Sequence, residues 1–352
     1  MAGKKRCTVV TLAQELGVSP STVSRAFDPF SRISDEMRAK VLQCASRHGY
    51  VPNRAAARLS MQEITVGVLL ADTYAPGTEE LLRGINEAYR SLYDYKLAVE
   101  IKKFHPGERE KSELPVRLAE LENCDGLIVC GVLTRAGAEA LAAYEARHPA
   151  LVLLQSDIPT VNRLFLSAHD PAVSAVMAAE FLSCCLRSTE KRVLFFTGNR
   201  DNEVHAGAAA AFHAAACRLG LHIPASVDMK DRPALLAQQA ETLLQPDAAD
   251  GIYITSGNSL PLCRAVKKLK KRPVLVTFDT YPALNEYLLD GTVTATIDQN
   301  LYSQAFHAFT LLIRYLVEGK EPPKVFSPMP ALVLPGTLAY YTDGARDRTG
   351  RL

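Results

Sequence analysis

The feature that most constrains this chain is an internal repeat. Asn123-Cys124-Asp125-Gly126-Leu127-Ile128-Val129 recurs 125 residues later as Ala248-Ala249-Asp250-Gly251-Ile252-Tyr253-Ile254, and the apolar run ending at Asp157 is matched 122 residues later by one ending at Asp279. From Ile64 onward, short apolar runs alternate with amphipathic stretches, the pattern of parallel strands joined by helices and covered on both faces. A repeat laid over that pattern predicts two copies of one open α/β unit. Strands of the first are expected at Thr65 to Ala71, Leu97 to Lys102, Gly126 to Gly131, Leu151 to Gln155 and Leu164 to Ser167. Those of the second are expected at Val193 to Thr197, Val227 to Met229, Gly251 to Thr255, Val274 to Phe278 and Thr294 to Ile297.

Ligands of open α/β sheets bind beyond the carboxyl ends of the strands, and two such units can close on a ligand like a hinged jaw. Polar residues directly after the strand ends are therefore the binding candidates: Asp72, Thr73 and Tyr74; Asn199, Arg200, Asp201 and His205; Ser256 and Asn258; Asp279; and Asp298 with Gln299. Carboxylates, amides and a guanidinium hold adjacent hydroxyls bidentately while an aromatic covers an apolar ring face, which suits a polyol. Asp157 and Asp170 read as turn or cap residues. His105, His148, His169 and His307 show no ligand spacing and read as ordinary surface or core histidines.

The first sixty residues are of another kind. They carry ten Lys and Arg against four Asp and Glu, a net charge of +6, so the rest of this +2 chain is −4. A small basic segment on a mildly acidic body points to a polyanion-binding module. Leu12, Ala13 and Leu16 share a helical face, Gly17-Val18 makes a turn, Ser19 can cap a second helix, and Pro20 suits that helix's first position. The helix from Pro20 to about Phe27 turns Val23 and Ala26 inward and Ser21, Thr22, Ser24 and Arg25 outward. Small hydroxyls and an arginine on a short exposed helix can approach base edges and phosphates closely. A third helix after Ser34 is expected to bury Met37, Val41, Leu42 and Ala45 and to stop near His48-Gly49, which closes a helix-turn-helix unit. The next segment, Tyr50 to Leu59, has good helix formers behind an Asn cap but is too short for a stable isolated helix.

Thr11-Leu12-Ala13, Gly17-Val18-Ser19-Pro20-Ser21-Thr22-Val23-Ser24-Arg25-Ala26 and Gly49-Tyr50-Val51-Pro52-Asn53 together resemble the signature of the LacI/GalR (lac repressor) family of bacterial transcriptional regulators. The resemblance implies an all-α helix-turn-helix headpiece on an α/β periplasmic-binding-protein-like core of two similar parallel-sheet subdomains. It further implies that Thr8, Ser19, Pro20, Ser21, Thr22, Ser24 and Arg25 contact DNA, and that Asn53 caps a hinge helix bearing Arg54. Ala56 would then face the minor groove, and Leu59 would wedge between the central base pairs. In the core it implies Asp279 and Gln299 as the strongest effector ligands, beside Asp72, Tyr74, Arg200, His205 and Asn258. Two departures stand out. Thr11 occupies the position of a capping-box acid, and Ala208 and Ala211 replace an arginine and glycine usual in the family, leaving Arg200 or His205 to take the arginine's part.

On this reading residues 1–49 are the DNA-binding domain, 50–63 the hinge helix and linker, 64–345 the effector-binding core and 346–352 a tail. Within the core, residues 64–168 and 300–326 make the first subdomain and 169–298 and 327–345 the second, with chain crossings near His169, Gln299 and Ser327. A two-fold dimer on a pseudo-palindromic double-stranded DNA operator is expected. The tail lacks the apolar heptads that would join dimers into tetramers. The expected effector is a sugar or polyol, with a purine or a phosphorylated carrier protein as alternatives. No apolar run reaches the ~18 residues of a membrane span, and no apolar signal core follows the basic start, so a cytoplasmic, membrane-free regulator is expected. No catalytic constellation, metal-ligand spacing or cofactor motif stands out. The eight scattered cysteines read as reduced side chains. A cytosolic solute-binding protein or carbohydrate enzyme is the competing class.

Overall fold

The computed structural model describes residues 8–27, 33–50, 63–72, 75–132 and 134–342. The described residues among the first 50 form three helices, α1 (Val9–Leu16), α2 (Pro20–Phe27) and α3 (Asp35–Arg47). Thr8 caps α1, and the threonine at Thr11 completes the capping box: Thr8 Oγ1 accepts from the Thr11 N–H at 3.3 Å while the Thr8 N–H donates to Thr11 Oγ1 at 3.4 Å. A hydroxyl thus does what an acid was expected to do. Gly17, with φ +64°, ends α1 in a left-handed turn that glycine adopts without steric cost. Leu12, Val23, Val41 and Cys44 are wholly buried between the helices. Leu42, expected inside, is 43 % exposed. Cys44, three positions after Val41, takes the inward place instead, because the inner stripe of α3 runs 41, 44, 45. Arg38 Nη1 donates to the Ala26 carbonyl at 3.1 Å and ties α3 to the end of α2.

Among the described residues, twelve strands form two six-stranded sheets. The first comprises β1 (Ile64–Ala71), β2 (Leu97–Phe104), β3 (Gly126–Cys130), β4 (Leu151–Leu154), β5 (Phe165–Ser167) and β11 (Val325–Phe326), in the order β11-β5-β4-β3-β1-β2. The second comprises β6 (Arg192–Thr197), β7 (His222–Asp228), β8 (Gly251–Ile254), β9 (Val274–Phe278), β10 (Ala295–Asp298) and β12 (Ala331–Val333), in the order β12-β10-β9-β8-β6-β7. Taken strand by strand the two orders are the same. They differ at one edge, where β11 runs parallel to β5 but β12 runs antiparallel to β10. The helices are α4 (Ala75–Ser91), α5 (Glu110–Glu120), α6 (Arg135–Glu145), α7 (Pro171–Cys185), α8 (Glu203–Arg218), α9 (Pro233–Leu243), α10 (Leu260–Lys267), α11 (Pro282–Leu289), α12 (Leu301–Glu318) and the short α13 (Ala339–Thr342). The chain passes from the first sheet to the second before α7, returns through α12, and crosses again between β11 and β12. No helix among the described residues is long and apolar enough to cross a membrane.

The repeated Asp-Gly has the same duty in both halves. Asp125 Oδ2 accepts from the Thr65 N–H at 2.8 Å and Asp250 Oδ2 from the Arg192 N–H at 2.9 Å, each latching the third strand to the start of the first. The glycine after it lets a helix lie close. A Cβ on Gly126 would stand 3.1 Å from the Leu312 and Leu316 methyls of α12, and one on Gly251 would stand 2.9 Å from Leu182 of α7.

Candidate functional site

The outer face of α2 is built from small polar groups. Ser19 Oγ accepts from the Thr22 N–H at 3.1 Å, which caps α2, and shares hydrogen bonds with the Ser21 and Thr22 hydroxyls at 2.7 and 2.8 Å. Pro20, Ser21, Ser24 and Arg25 are exposed, whereas Thr22 is half-buried. Val23 and Ala26 fix this face outward by filling the head's core. Asn53, Arg54, Ala56 and Leu59 lie outside the described residues, as does Tyr74.

A cleft of about 380 Å³ lies between the two sheets, at the carboxyl ends of their strands. The first half contributes Ala71, Pro106, Gly107, Gly131, Gln155 and Ser156 to it. His205, Asn258, Asp279 and Gln299 line the opposite wall together with Asn199 and Ser256. Asp72 does not line it: its carboxylate is on the surface, 3.8 Å from the Lys103 ammonium. Arg200 does not line it either. Its guanidinium donates to the Thr197 hydroxyl at 2.9 Å and the Ser226 hydroxyl at 2.6 Å, so it is satisfied inside its own half. Asp170 caps α7 by accepting from the Ala172 N–H at 2.8 Å, and Asp157 is clasped by Arg163 through two bonds of 2.7 Å.

Asp279 stands directly after β9 with φ +65°, a left-handed conformation that costs a non-glycine residue energy and persists only where its surroundings enforce it. Here they do. Its N–H donates to the Ile297 carbonyl at 2.8 Å, and its own carbonyl accepts from the Thr296 hydroxyl at 2.6 Å. Gln299 Nε2 donates to the carboxylate at 2.9 Å. Burial pushes the Asp279 carboxyl up to about 8, aided by the neighbouring Asp298 and Glu80 charges and opposed by the Gln299 bond. Gln299 in turn accepts at its backbone carbonyl from Gln304 Nε2 at 2.8 Å, which anchors the wall to the start of α12.

Three polar residues are prominent among the lining residues that escaped the sequence. His169 is 5 % exposed, with neither ring nitrogen hydrogen-bonded among the described residues, and burial lowers its pKa to about 4. Read from the sequence as a surface or core histidine, it is buried, and it is among the residues lining the cleft beside Phe278, with ring centroids 5.8 Å apart. Its place between β5 and α7, just before Asp170-Pro171, could have marked it as a crossing residue. Gln155 follows β4 with φ +71°, and its N–H donates to the Ser167 carbonyl at 2.9 Å, the arrangement of Asp279 in the other half. The structural counterpart of Asp279 is therefore Gln155, 124 residues earlier, and not Asp157. Asp231 accepts from the Ser256 hydroxyl at 3.0 Å and the Asn199 N–H at 2.9 Å, and lies 3.7 Å from His205 Nε2. Lys230 holds Asp228 at 3.0 Å and Asp201 at 3.1 Å. His205, with Nδ1 3.2 Å from the Thr255 hydroxyl, has its pKa lowered by burial.

Residues 10–53 match the model for bacterial regulatory proteins of the lacI family, and residues 119–321 match that of the periplasmic binding protein domain. Catabolite control protein A of Priestia megaterium is 28 % identical over 201 residues, 56 % of this chain and 57 % of that protein. The lactose operon repressor of Escherichia coli is 27 % identical over 167 residues, and that match spans 47 % of this chain and 46 % of the repressor. Among solved structures, GanP, a glucose-galactose binding protein from Geobacillus stearothermophilus, aligns with a TM-score of 0.69 at 20 % identity, over 79 % of this chain and 99 % of its own. A lac repressor dimer bound to operator and the anti-inducer ONPF aligns with a TM-score of 0.62 at 19 % identity, over 94 % of this chain and 98 % of its own.

Proposed function

Because the chain belongs to the LacI family of bacterial regulatory proteins, a helix-turn-helix head on a periplasmic-binding-protein-like core, we propose that it is a cytoplasmic, non-enzymatic transcriptional repressor. Its affinity for a pseudo-palindromic operator is set by a small molecule, a sugar or polyol, bound between the two sheets. The observation that carries this reading is Asp279: a buried carboxylate held in a strained backbone conformation at the mouth of a cleft of about 380 Å³. That volume suits a small-molecule site, and enforced strain of this kind gathers at ligand clamps. On the DNA side, Ser19, Pro20, Ser21, Thr22, Ser24 and Arg25 of the exposed α2 face meet the major groove, with Thr8 at the phosphates. The hinge residues Asn53, Arg54, Ala56 and Leu59 meet the minor groove. A homodimer presents two heads to the two half-sites.

The mechanism is linkage. An effector that binds one closure state of the cleft more tightly shifts the population toward it, and DNA affinity changes by the factor that separates the two states. His205, Asn258, Asp279 and Gln299 contribute polar partners for hydroxyls, and Tyr74 is assigned to the same site. Asp72 and Arg200, which point elsewhere, are left out.

Fluorescence anisotropy on the DNA upstream of the protein's own coding region, at two salt concentrations and with a panel of sugars, tests the whole reading. Tight, salt-dependent, sequence-selective binding that one compound changes is the expected result. Binding no tighter than to random DNA would bring a solute-binding protein to the fore. Within the same assay Arg25→Ala should cost about 1 to 3 kcal/mol on the specific site and little on random DNA. An unchanged operator preference removes Arg25 from the groove.

A further inference from the structure

We propose that the molecule held in this cleft carries a cationic amine as well as hydroxyl groups, as an amino sugar does, and that Asp279 is the counter-charge of that amine. The inference rests on the cleft being the effector site.

Asp279 is 5 % exposed and lines the cleft, and its hydrogen-bonding side-chain partner is the neutral amide of Gln299 at 2.9 Å. No arginine is among the described residues of the cleft wall, since Arg200 is turned to Thr197 and Ser226. The one lysine among the described residues of the wall, Lys230, already holds Asp228 and Asp201. The two lining imidazoles, His169 and His205, are both pushed by burial toward the neutral form. Asp298 and Glu80 stand close enough to add to the negative potential at Asp279. A buried carboxylate without a cation binds a proton or a ligand cation. A neutral sugar supplies hydroxyl donors but no charge, so it leaves the cost of ionising Asp279 uncompensated. An ammonium compensates it at close range and in a setting of low polarity, where Coulomb attraction is strongest.

The rest of the ligand is marked independently, by His169. His169 is among the residues lining the cleft, its side chain is almost wholly buried, and neither of its nitrogens has a partner among the described residues. A neutral imidazole offers one donor and one acceptor on different sides of its ring, and a hydroxyl can partner either. Buried polar atoms are almost always satisfied, so an unsatisfied imidazole in the wall of a cavity marks a place for polar groups of a bound molecule. Phe278, Pro106 and Pro171 give the same cleft apolar surface for the C–H face of a ring.

The test is calorimetric titration of the full-length protein with matched triplets: glucose, glucosamine and N-acetylglucosamine, then the galactose and mannose series. N-acetylation keeps the hydroxyls and removes the charge. The expected result is that in one series the free amine binds at least about tenfold tighter than both neutral members. Asp279→Asn, similar in shape and neutral, should erase that preference. A neutral sugar binding as tightly as its amine, or a preference that survives Asp279→Asn, overturns the inference. If that neutral sugar is itself lost in His169→Ala, the cleft remains the effector site and only the charge assignment fails. No binding by any member of the three series overturns the inference and the sugar reading of the cleft together.

Discussion

Gln155 and Asp279 occupy the same place in the two halves. Each follows the fourth strand of its sheet in a left-handed conformation, each donates its N–H to the next strand at 2.9 and 2.8 Å, and each lines the cleft. Their chemistry differs. Gln155 is a neutral amide whose Oε1 accepts from the Cys130 thiol at 2.8 Å, while Asp279 is a buried acid. At the Asp-Gly repeat the halves agree: Asp125 and Asp250 make the same latch, and Gly126 and Gly251 each admit a close helix. Two kinds of position are thereby told apart. Where a residue closes the scaffold, both halves keep it. Where the scaffold delivers a residue to the cleft, strain and location are shared but the functional group is free to differ, and the second half supplies the acid.

The largest expected effect breaks the pair at the cleft. Asp279→Ala should abolish the effector response while leaving operator affinity intact, and Gln155→Ala should only weaken it. Anisotropy titrations of both variants with and without effector decide this. Equal losses would mean that position and not charge matters.

The pH dependence of stability sharpens the same contrast. With its pKa raised to about 8 against an ordinary value of about 3.9, Asp279 keeps its proton in the folded state over a range where the unfolded chain has lost it. The folded state then binds more protons, so the contribution of this group to stability falls as pH rises from about 4 to about 8 and is level above that. The lowered histidines, His169 among them, act with the opposite sign at the acidic end of the window. Urea unfolding at the two ends, for the parent and for Asp279→Asn, isolates the carboxyl. The parent should lose stability toward the alkaline end relative to the variant, and parallel behaviour would place Asp279 in a more polar setting. Gln155→Glu should introduce a loss of the same sign in the first half.

Most of the fold was legible because it is written in local pattern. Apolar runs ended by polar residues located the principal strands of each half, except that β7, expected at Val227 to Met229, spans His222–Asp228, where alternating exposed residues give no apolar run, and the Asp-Gly repeat announced the duplication because a latch and a close helix demand those two residue types. The cleft was legible where a residue's position alone puts it there, as with Asp279, Gln299 and Asn258 past strand ends and His205 just past a helix start. It was not legible where a side chain had a choice. Arg200 is long enough to turn back to Thr197 and Ser226, and Asp72 lies at the surface within reach of Lys103. His169 carries no spacing signal, since its role comes from the chain crossing that buries it. Gln155 was hidden by aligning the repeat on Asp157, two residues beyond the true counterpart, whose carboxylate serves Arg163 instead.

The smallest effect probes the part of the comparison that is held in common. Removing either latch, Asp125→Ala or Asp250→Ala, leaves an N–H at the start of the first strand, that of Thr65 or Arg192, without its side-chain acceptor. A lost intramolecular hydrogen bond of this sort costs about 0.5 to 1.5 kcal/mol, and more where water cannot replace the partner. The two sites are not equally wet. Asp125 is exposed, whereas the Asp250 side chain is 15 % exposed and also lies 3.6 Å from the Arg192 guanidinium, which helps to hold its carboxyl below the usual range. Both variants should therefore lower stability in chemical denaturation, with Asp250→Ala lower than Asp125→Ala by a few tenths of a kcal/mol. If Asp125→Ala proves neutral, water at the exposed edge replaces its carboxylate and the latch is structural in one half alone. If the two losses are equal, backbone geometry and not burial sets the strength of the latch.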